Sequence, residues 1–529
     1  MRNEFSLFAI FSLLIVGLVG YFWWSPIYWS LIILLPIILF GCYDMFQKKH
    51  AIVRNFPVLG RTRYLMEWLR PKIYQYFVEP DTEGRPVSRI FRSIIYARAK
   101  QQLDTTPFGT QLDVYAEGYE WMNHSIAALD PHSLEEDQRM KVGGLDCTKP
   151  YSASILNVSA MSFGSLSSAA VEALNGGAKI GGFAHNTGEG GISPYHNKFA
   201  GDLIYQVGTG YFGCRTDDGN FDPDAFQKLT AADNVKMIEL KLSQGAKPGH
   251  GGILPAKKNT EEISKIRGVE AGTDVLSPPY HKAFSTPIEL CELLGKMRKL
   301  SGGKPIGFKL CLGSITEFFA ICKAMVKTGI KPDFIAVDGG EGGTGAAPLE
   351  FSNSVGTPFK EGIAFVYDAL VGFGLKKDIT IIAAGKIFTG FHIFRAKALG
   401  ADICYSARAM MMAVGCIQAL ECNSNTCPTG VATQDPELIK GLVVSDKKQR
   451  VANFHKETVE SFVELLAAGG IKDADLITRK MISRRISVGV SMRYDELYPY
   501  VKENSLLSNE TCPPQYKVYL EDAKAESFH

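Results

Sequence analysis

Three cysteines stand close together in GCIQALECNSNTCPTGVATQ (415–434): Cys416, Cys422 and Cys427, spaced C-x5-C-x4-C. A disulfide framework uses an even number of thiols, and a structural zinc site usually takes four ligands. Iron–sulfur clusters are held by Cys thiolates. Three thiolates suit a cluster of three irons, or one of four irons whose last ligand is not Cys. Two plainer readings compete: thiols buried as small hydrophobes, and a zinc ion completed by histidine. The polar turn segment NSNTCPTG around Cys427 makes a poor apolar core and a good loop around a cluster. His392 and His455, the nearest histidines in sequence, share no metal-ligand spacing with the thiols. The other eight cysteines are scattered, most of them in apolar runs such as FKLCLG, which points to a reducing compartment.

Glycine loops form the second group. AVDGGEGGTGAAP (336–348) follows an apolar run. Consecutive glycines let backbone approach a flat ring or a phosphate, and their amides can form an anion nest. IIAAGKIFTG and ICYSARAM end the next two apolar runs. Two such ends in succession suit a phosphorylated cofactor. No G-x-G-x-x-G opens a helix after a strand with an acid about twenty residues on, so no nicotinamide domain is indicated.

The third group is cationic. IELKLSQGAKPG carries Lys241 and Lys247 with Gln244 between them; Arg267 follows in KIRGVEAG, and Lys309 stands in GFKL. A lysine inside an apolar strand is costly without an anionic partner. Period-two alternation sets Lys241 and Lys309 on the inner face of buried strands. For Lys247 and Arg267 the plainer reading is solvated loop charge.

These residues need a scaffold. From about residue 150, short β-branched runs recur, each ending in Gly or polar residues: SILNVSAMSFGS, IGGFAHNTGEGG, VKMIELKLSQGAKPG, PIGFKLCLG, DFIAVDGGEGGTG, ITIIAAGKIFTG and ADICYSARAM. Amphipathic stretches such as PIELCELLGKMRKL and ITEFFAICKAMVKTG lie between several of them. Strands alternating with helices imply a parallel sheet. Seven such runs suit an α/β fold of the (β/α)8 TIM-barrel type, with one strand not placed. In that fold chemistry sits at the C-terminal strand ends, where the unusual residues lie. The barrel is expected over 126–480, followed by a C-terminal extension, 481–529.

The N-terminus differs. Phe5 to Tyr43 is a run of 39 residues without a charge. A spanning helix needs about 20 apolar residues. WWSPIYWS divides the run, so two transmembrane helices are expected within residues 1–45, at Phe5–Trp23 and Trp29–Tyr43, forming a hairpin. Lys48, Lys49, Arg54, Arg61 and Arg63 follow and place the next domain in the cytoplasm. A cleaved signal peptide would have a shorter apolar stretch and an A-x-A site. Residues 46–125 read as a membrane-proximal helical linker. The net charge of +2 gives no sign of a nucleic-acid surface.

Taken together, SAMSFGSLS, NTGEGG, SQGAKPGHGG, LSPPYH, DGGEGGTGAAP and C-x5-C-x4-CPTGVATQ resemble, in order, the synthase domain of the glutamate synthase large subunit. The likeness covers roughly 150–470, and the chain is similar to the stand-alone, membrane-anchored FMN-binding members of that family. The resemblance implies FMN, a [3Fe-4S] cluster on the three cysteines, and reduction of 2-iminoglutarate, made from 2-oxoglutarate and ammonia, to L-glutamate. It implies that Ser159, Ala160, Met161 and Ser162 line the flavin, with Asp338, Gly339, Gly340, Thr344 and Gly345 also at the cofactor. Lys309 would sit at the flavin's N1–O2 edge, and Gly385, Lys386, Ser406 and Ala407 would cradle its phosphate. Lys241, Gln244, Lys247 and Arg267 would surround the keto acid, and Glu189 the ammonia exit. Glu189 and Lys309 are the catalytic candidates.

The departures from the family pattern are His250 where the large subunit usually has Glu, AAGK for DGGL, and YSARA for GTA. The chain begins MRNEF without the glutaminase domain and its N-terminal Cys, so ammonia is expected free or from a separate glutaminase. Electrons would come from a ferredoxin or a reductase subunit, and membrane lipid is the other expected partner. Two rivals stand beside this reading. One is an N-methylglutamate synthase-like enzyme using methylamine. The other is a membrane-docked electron-transfer subunit, which would not need the dicarboxylate site of Lys241, Gln244 and Arg267.

Overall fold

A computed structural model describes residues 1–529. The chain separates into two compact units, Met1–Arg89 and Ile90–His529, so the segment 46–125 is divided between them.

In the first unit, helix α1 (Arg2–Phe22) and helix α2 (Leu31–Phe46) are joined by a 3-10 turn, Ser25–Ser30. Both apolar segments are long enough to cross a membrane by length and composition. Pro26 opens the turn, where its missing N–H costs nothing. The chain then bends back through α3 (Ala51–Asn55) into α4 (Gly60–Ile73), which runs on as a π-helical turn, Tyr74–Val78. Asp44, fully buried, fixes the bend by accepting from Arg61 Nη2 at 2.5 Å and from the Val58 amide at 3.0 Å.

The second unit is built on a closed barrel of eight parallel strands. They are β1 (Leu156–Val158), β2 (His185–Asn186), β3 (Leu203–Val207), β4 (Val235–Lys241), β5 (Ile306–Cys311), β6 (Phe334–Asp338), β7 (Thr380–Ala384) and β8 (Ile403–Ser406). They lie side by side in chain order, and β8 closes on β1. Seven match the runs read from the sequence. The unplaced strand is β3, LIYQV, buried at every position. A strand buried on both faces shows no alternation.

The connecting helices carry strong local signals. Helix α5 (Pro287–Leu300) starts at a Thr286/Glu289 capping box with Pro287 in its first turn. Helix α6 (Ile315–Thr328) is capped by Ser314 and stopped by left-handed Gly329. Helix α7 (Val444–Ala468) follows the cysteine loop. Between β5 and β6 the backbones are tight: a Cβ at Gly307 would lie 2.3 Å from the Phe334 carbonyl oxygen.

The chain on either side of the barrel forms a small sheet of its own. Glu120–Met122 pairs with Ile482–Ser487, which pairs with Val490–Arg493. Glu120, half-buried with its side chain 7% exposed, accepts from Arg395 at 2.9 Å and Tyr494 Oη at 2.8 Å, and is also paired with Lys360. The extension after 481 is thus woven into the second unit.

Candidate active site

Strand register sets the first part of the site. Lys309 on β5 pairs with Lys241 on β4, and Cys311 with Asp338 on β6. Three charged groups therefore meet at the C-terminal rim. Lys309 is 6% exposed, and its Nζ is 3.2 Å from Asp338 Oδ2. Burial works against its charge, but Asp338 and the buried Glu239 outweigh it and hold the ammonium above its ordinary range. Asp338 Oδ2 also accepts from the Gly245 amide at 3.0 Å, which ties the loop after β4 to β6. Glu239 lies inside the barrel, where its Oε1 accepts from Asn186 at 3.0 Å and Gln206 at 2.6 Å; burial pushes its carboxyl up.

The second part gathers around Glu189, in the turn after β2. Its Oε1 lies 2.8 Å from Lys241 Nζ. Burial alone would raise this carboxyl, but Lys241, Arg267 and Lys247 together hold it below the ordinary range. Glycines make the space it occupies. A Cβ at Gly208 would stand 2.7 Å from Glu189 Cβ, and one at Gly252 would stand 2.8 Å from Glu189 Oε1. Lys247 is buried, and burial pulls its amine down to about 8, with Glu189 resisting. Arg267 ends the helix Glu261–Arg267; burial lowers its guanidinium to about 10, again with Glu189 resisting. Its Nη2 donates to the Phe163 carbonyl at 3.1 Å and to Ser162 Oγ at 3.5 Å, and it stands over the Phe212 ring at 5.1 Å. Arg267 Nε is buried with no hydrogen-bond partner. Lys247 and Arg267 are therefore buried charges, and the plainer reading of them as solvated loop charge does not hold. Gln244 is half-buried in the turn between the two lysines.

The loop 159–165 runs from β1 over this rim. The Ser159 amide donates to the Ser406 carbonyl at 3.0 Å, and Ser162 Oγ lies 3.1 Å from Ser165 Oγ. Met161 is buried and Ala160 half-buried. The loop presses on the turn after β2: a Cβ at Gly188 would come within 2.6 Å of the Ser162 nitrogen. At β7 and β8 the proposed phosphate residues divide. Lys386 holds a positive φ of 49°, a strained conformation for a non-glycine residue. The Ser406 hydroxyl donates to the Ile387 carbonyl at 2.7 Å, so it is committed within the protein. Gly385 makes room for the Phe359 ring, which a Cβ would meet at 2.4 Å. Ala407 precedes the short helix Arg408–Val414. The glycine loop divides too. Gly339 is buried and Asp338 and Gly340 half-buried at the rim, whereas Thr344 and Gly345 are exposed, and a Cβ at Gly345 would have Cys422 Cβ, at 4.0 Å, as its nearest neighbour.

Cys416, Cys422 and Cys427 line one small recess, together with Met411, Leu420 and Val431. No three metal-binding side chains converge closely enough to hold a single ion. Three thiols facing one recess are a donor set that could hold an iron–sulfur cluster. Burial pushes the Cys416 thiol up to about 11, and the other two thiols add to this; a bound metal would deprotonate it outright. Four residues outside the sequence-derived set position these loops. Lys258, 2% exposed, donates to the carbonyls of Ser165 at 2.6 Å, Ala432 at 3.1 Å and Cys422 at 3.3 Å. Gln434 donates to those of Leu166 at 2.8 Å and Gly164 at 3.1 Å. Arg408 donates to the Glu341 carbonyl at 2.9 Å. His281 Nε2 is 2.8 Å from the Lys241 carbonyl, with Tyr211 Oη 3.1 Å from Nδ1. The carbonyl can only accept, so His281 is the Nε2–H tautomer.

Residues 102–472 match the family model described as the conserved region in glutamate synthase. The chain is 37% identical over 509 residues to the glutamate synthase large subunit-like protein YerD of Bacillus subtilis, covering 88% of this chain and 96% of that one. It is 37% identical over 314 residues to an archaeal-type glutamate synthase [NADPH] of Thermotoga neapolitana, covering 59% of this chain and 58% of that one. A flavocytochrome b2 variant with pyruvate bound overlaps at a TM-score of 0.40 and 13% identity, covering 79% of this chain and 85% of that one.

Proposed function

The chain belongs to the glutamate synthase family, and from that premise we propose that it reduces 2-iminoglutarate, formed from 2-oxoglutarate and ammonia, to L-glutamate. The observation that carries the proposal is one half-buried carboxylate, Glu189, set among Lys241, Lys247 and Arg267, with the Lys309–Asp338 pair on the same barrel rim. A pocket with three cations and one acid suits a dianionic keto acid and a nitrogen that gives up protons. FMN held by 159–162, 338–340 and the ends of β7 and β8 would supply hydride, and a [3Fe-4S] cluster on Cys416, Cys422 and Cys427 would supply single electrons.

The protein's own residues do the rest. Arg267, with its unpartnered Nε, grips one substrate carboxylate. Lys247 takes the other when protonated. Glu189, ionised, takes a proton from the incoming nitrogen and returns it to the former carbonyl oxygen, so that both protons lost by nitrogen leave with that oxygen as water. Lys241 returns charge balance to Glu189, and His281 fixes the Lys241 backbone. Lys309, kept as an ammonium, stabilises negative charge at the rim. Holding the imine carbon in reach of its reductant is a positioning problem, and the buried residues around the pocket limit water.

We propose a ferredoxin or reductase as electron donor and free ammonia, or that of a separate glutaminase, as nitrogen source. We also propose that α1 and α2 hold the enzyme at a membrane with the barrel in the cytoplasm. The test is chemically reduced holoenzyme with ammonia and 2-oxoglutarate. Glutamate is the expected product. A preparation with intact flavin and cluster that makes none overturns the reading, and turnover with methylamine alone moves it to the N-methylglutamate rival.

A further inference from the structure

Helix α4 and the π-helical turn after it have an apolar face that is largely uncovered, with Leu69 half-buried at its centre. Leu65, Met66, Leu69, Ile73, Tyr76 and Phe77 recur at helical spacing and share one side. Met66 is 54% and Phe77 85% exposed, and Leu65, Ile73 and Tyr76 are exposed as well. Cations border this side: Arg63 and Arg70 along one edge, Lys72 along the other, its ammonium 3.4 Å from the Trp68 ring centroid. Across 47–78 there are seven lysines and arginines and a single acid, Glu67. The Asp44–Arg61 pair joins the start of α4 to the end of α2.

We infer that α4 with the turn Tyr74–Val78 lies in the plane of an anionic membrane surface, its apolar face among acyl chains and its bordering cations at lipid phosphates. This deepens the reading of α1 and α2 as membrane helices. Three observations select lipid as occupant. An apolar stripe between two cationic edges matches the layered chemistry of a bilayer interface. The charge balance is complementary to acidic headgroups. The Asp44–Arg61 pair ties the segment to the end of an apolar helix long enough to span.

Full-length holoenzyme, reconstituted in vesicles of phosphatidylcholine with or without phosphatidylglycerol, tests this with a photo-crosslinker. Leu69→benzoylphenylalanine should give lipid adducts several-fold above Glu67→benzoylphenylalanine on the opposite face, with more adduct in the phosphatidylglycerol vesicles. Removing the border cations (Arg63→Gln, Arg70→Gln, Lys72→Gln) should abolish that lipid preference. Equal adducts at the two positions, a cross-link from 69 to a second copy or to another protein, or a preference that survives the triple substitution each overturn the inference. Alkaline carbonate extraction separates it from the reading it rests on. Release of the protein refutes the spanning helices, whereas retention without lipid adducts at 69 refutes the interfacial helix alone.

Discussion

Arg267 is the sharpest test at the residue scale. Loss of a charge-assisted hydrogen bond costs about 1.5–3 kcal/mol, so Arg267→Ala should weaken 2-oxoglutarate binding by roughly ten- to a hundred-fold. Flavin content, read from the visible spectrum, should not change. Lys247 gives the pH dependence. Burial depresses its amine from 10.5 to about 8, so the charged form is lost as pH rises through that value. A dicarboxylate prefers the ammonium, so affinity should fall between about pH 7 and 9 by the linkage of binding to protonation. Spectral titration with 2-oxoglutarate should show the fall in wild type and a flat response in Lys247→Met. Lys241 and Lys309 were legible in the sequence because a lysine in a β-branched run demands an anionic partner. Lys258 was not, because the doublet in PAKKN looks like surface charge until the fold brings three carbonyls to it.

The loops matter most at the scale of elements. Lys258 ties the loop after β1 to the cysteine loop through three carbonyls, and Gln434 doubles the tie. Lys258→Met keeps much of the bulk and removes every donor. It should lower iron and acid-labile sulfide per polypeptide while FMN is retained. Unchanged iron and an unchanged EPR signal would refute the positioning role. Cys422→Ser should remove the broad cluster absorbance outright. The sequence revealed seven strands by their β-branched runs and glycine ends, but not β3. LIYQV is buried at every position, so no alternation marks it. A different limit applies at the phosphate end. The motif suggested Ser406 as a ligand, yet its hydroxyl is turned onto Ile387.

For the whole molecule, the extension after 481 is bound through Arg479. This fully buried guanidinium donates to Asp368 at 3.0 Å and to the Tyr498 carbonyl at 2.6 Å, and stands over Tyr500 at 4.4 Å. Burial raises Asp368 to about 6 even with Arg479 beside it. Breaking a buried pair from one side typically costs about 3–5 kcal/mol, so Arg479→Ala should lower the melting temperature markedly. Arg479→Ala with Asp368→Asn should recover part of the loss. Deleting 1–45 should release the enzyme from membranes in high salt, and detergent-free solubility of the full-length protein would contradict the anchor. The uncharged run made the two apolar helices legible; the pairing of 120–122 with 482–493 was not, since it joins segments some 360 residues apart.

The opposed lysines of β4 and β5 have one more consequence. Side chains alternate along a strand, so a one-residue slip between neighbours turns a whole face over. Lys241 and Lys309 sit in register with each other, and a slipped barrel would bury one ammonium away from every acid that neutralises it. Such a chain would also lose the groups placed to hold the cofactors, and would come off a column colourless. Visible colour would then serve as quality control: the ratio of flavin to protein absorbance would sort correctly threaded barrels from misassembled ones in a crude lysate, with no activity assay at all.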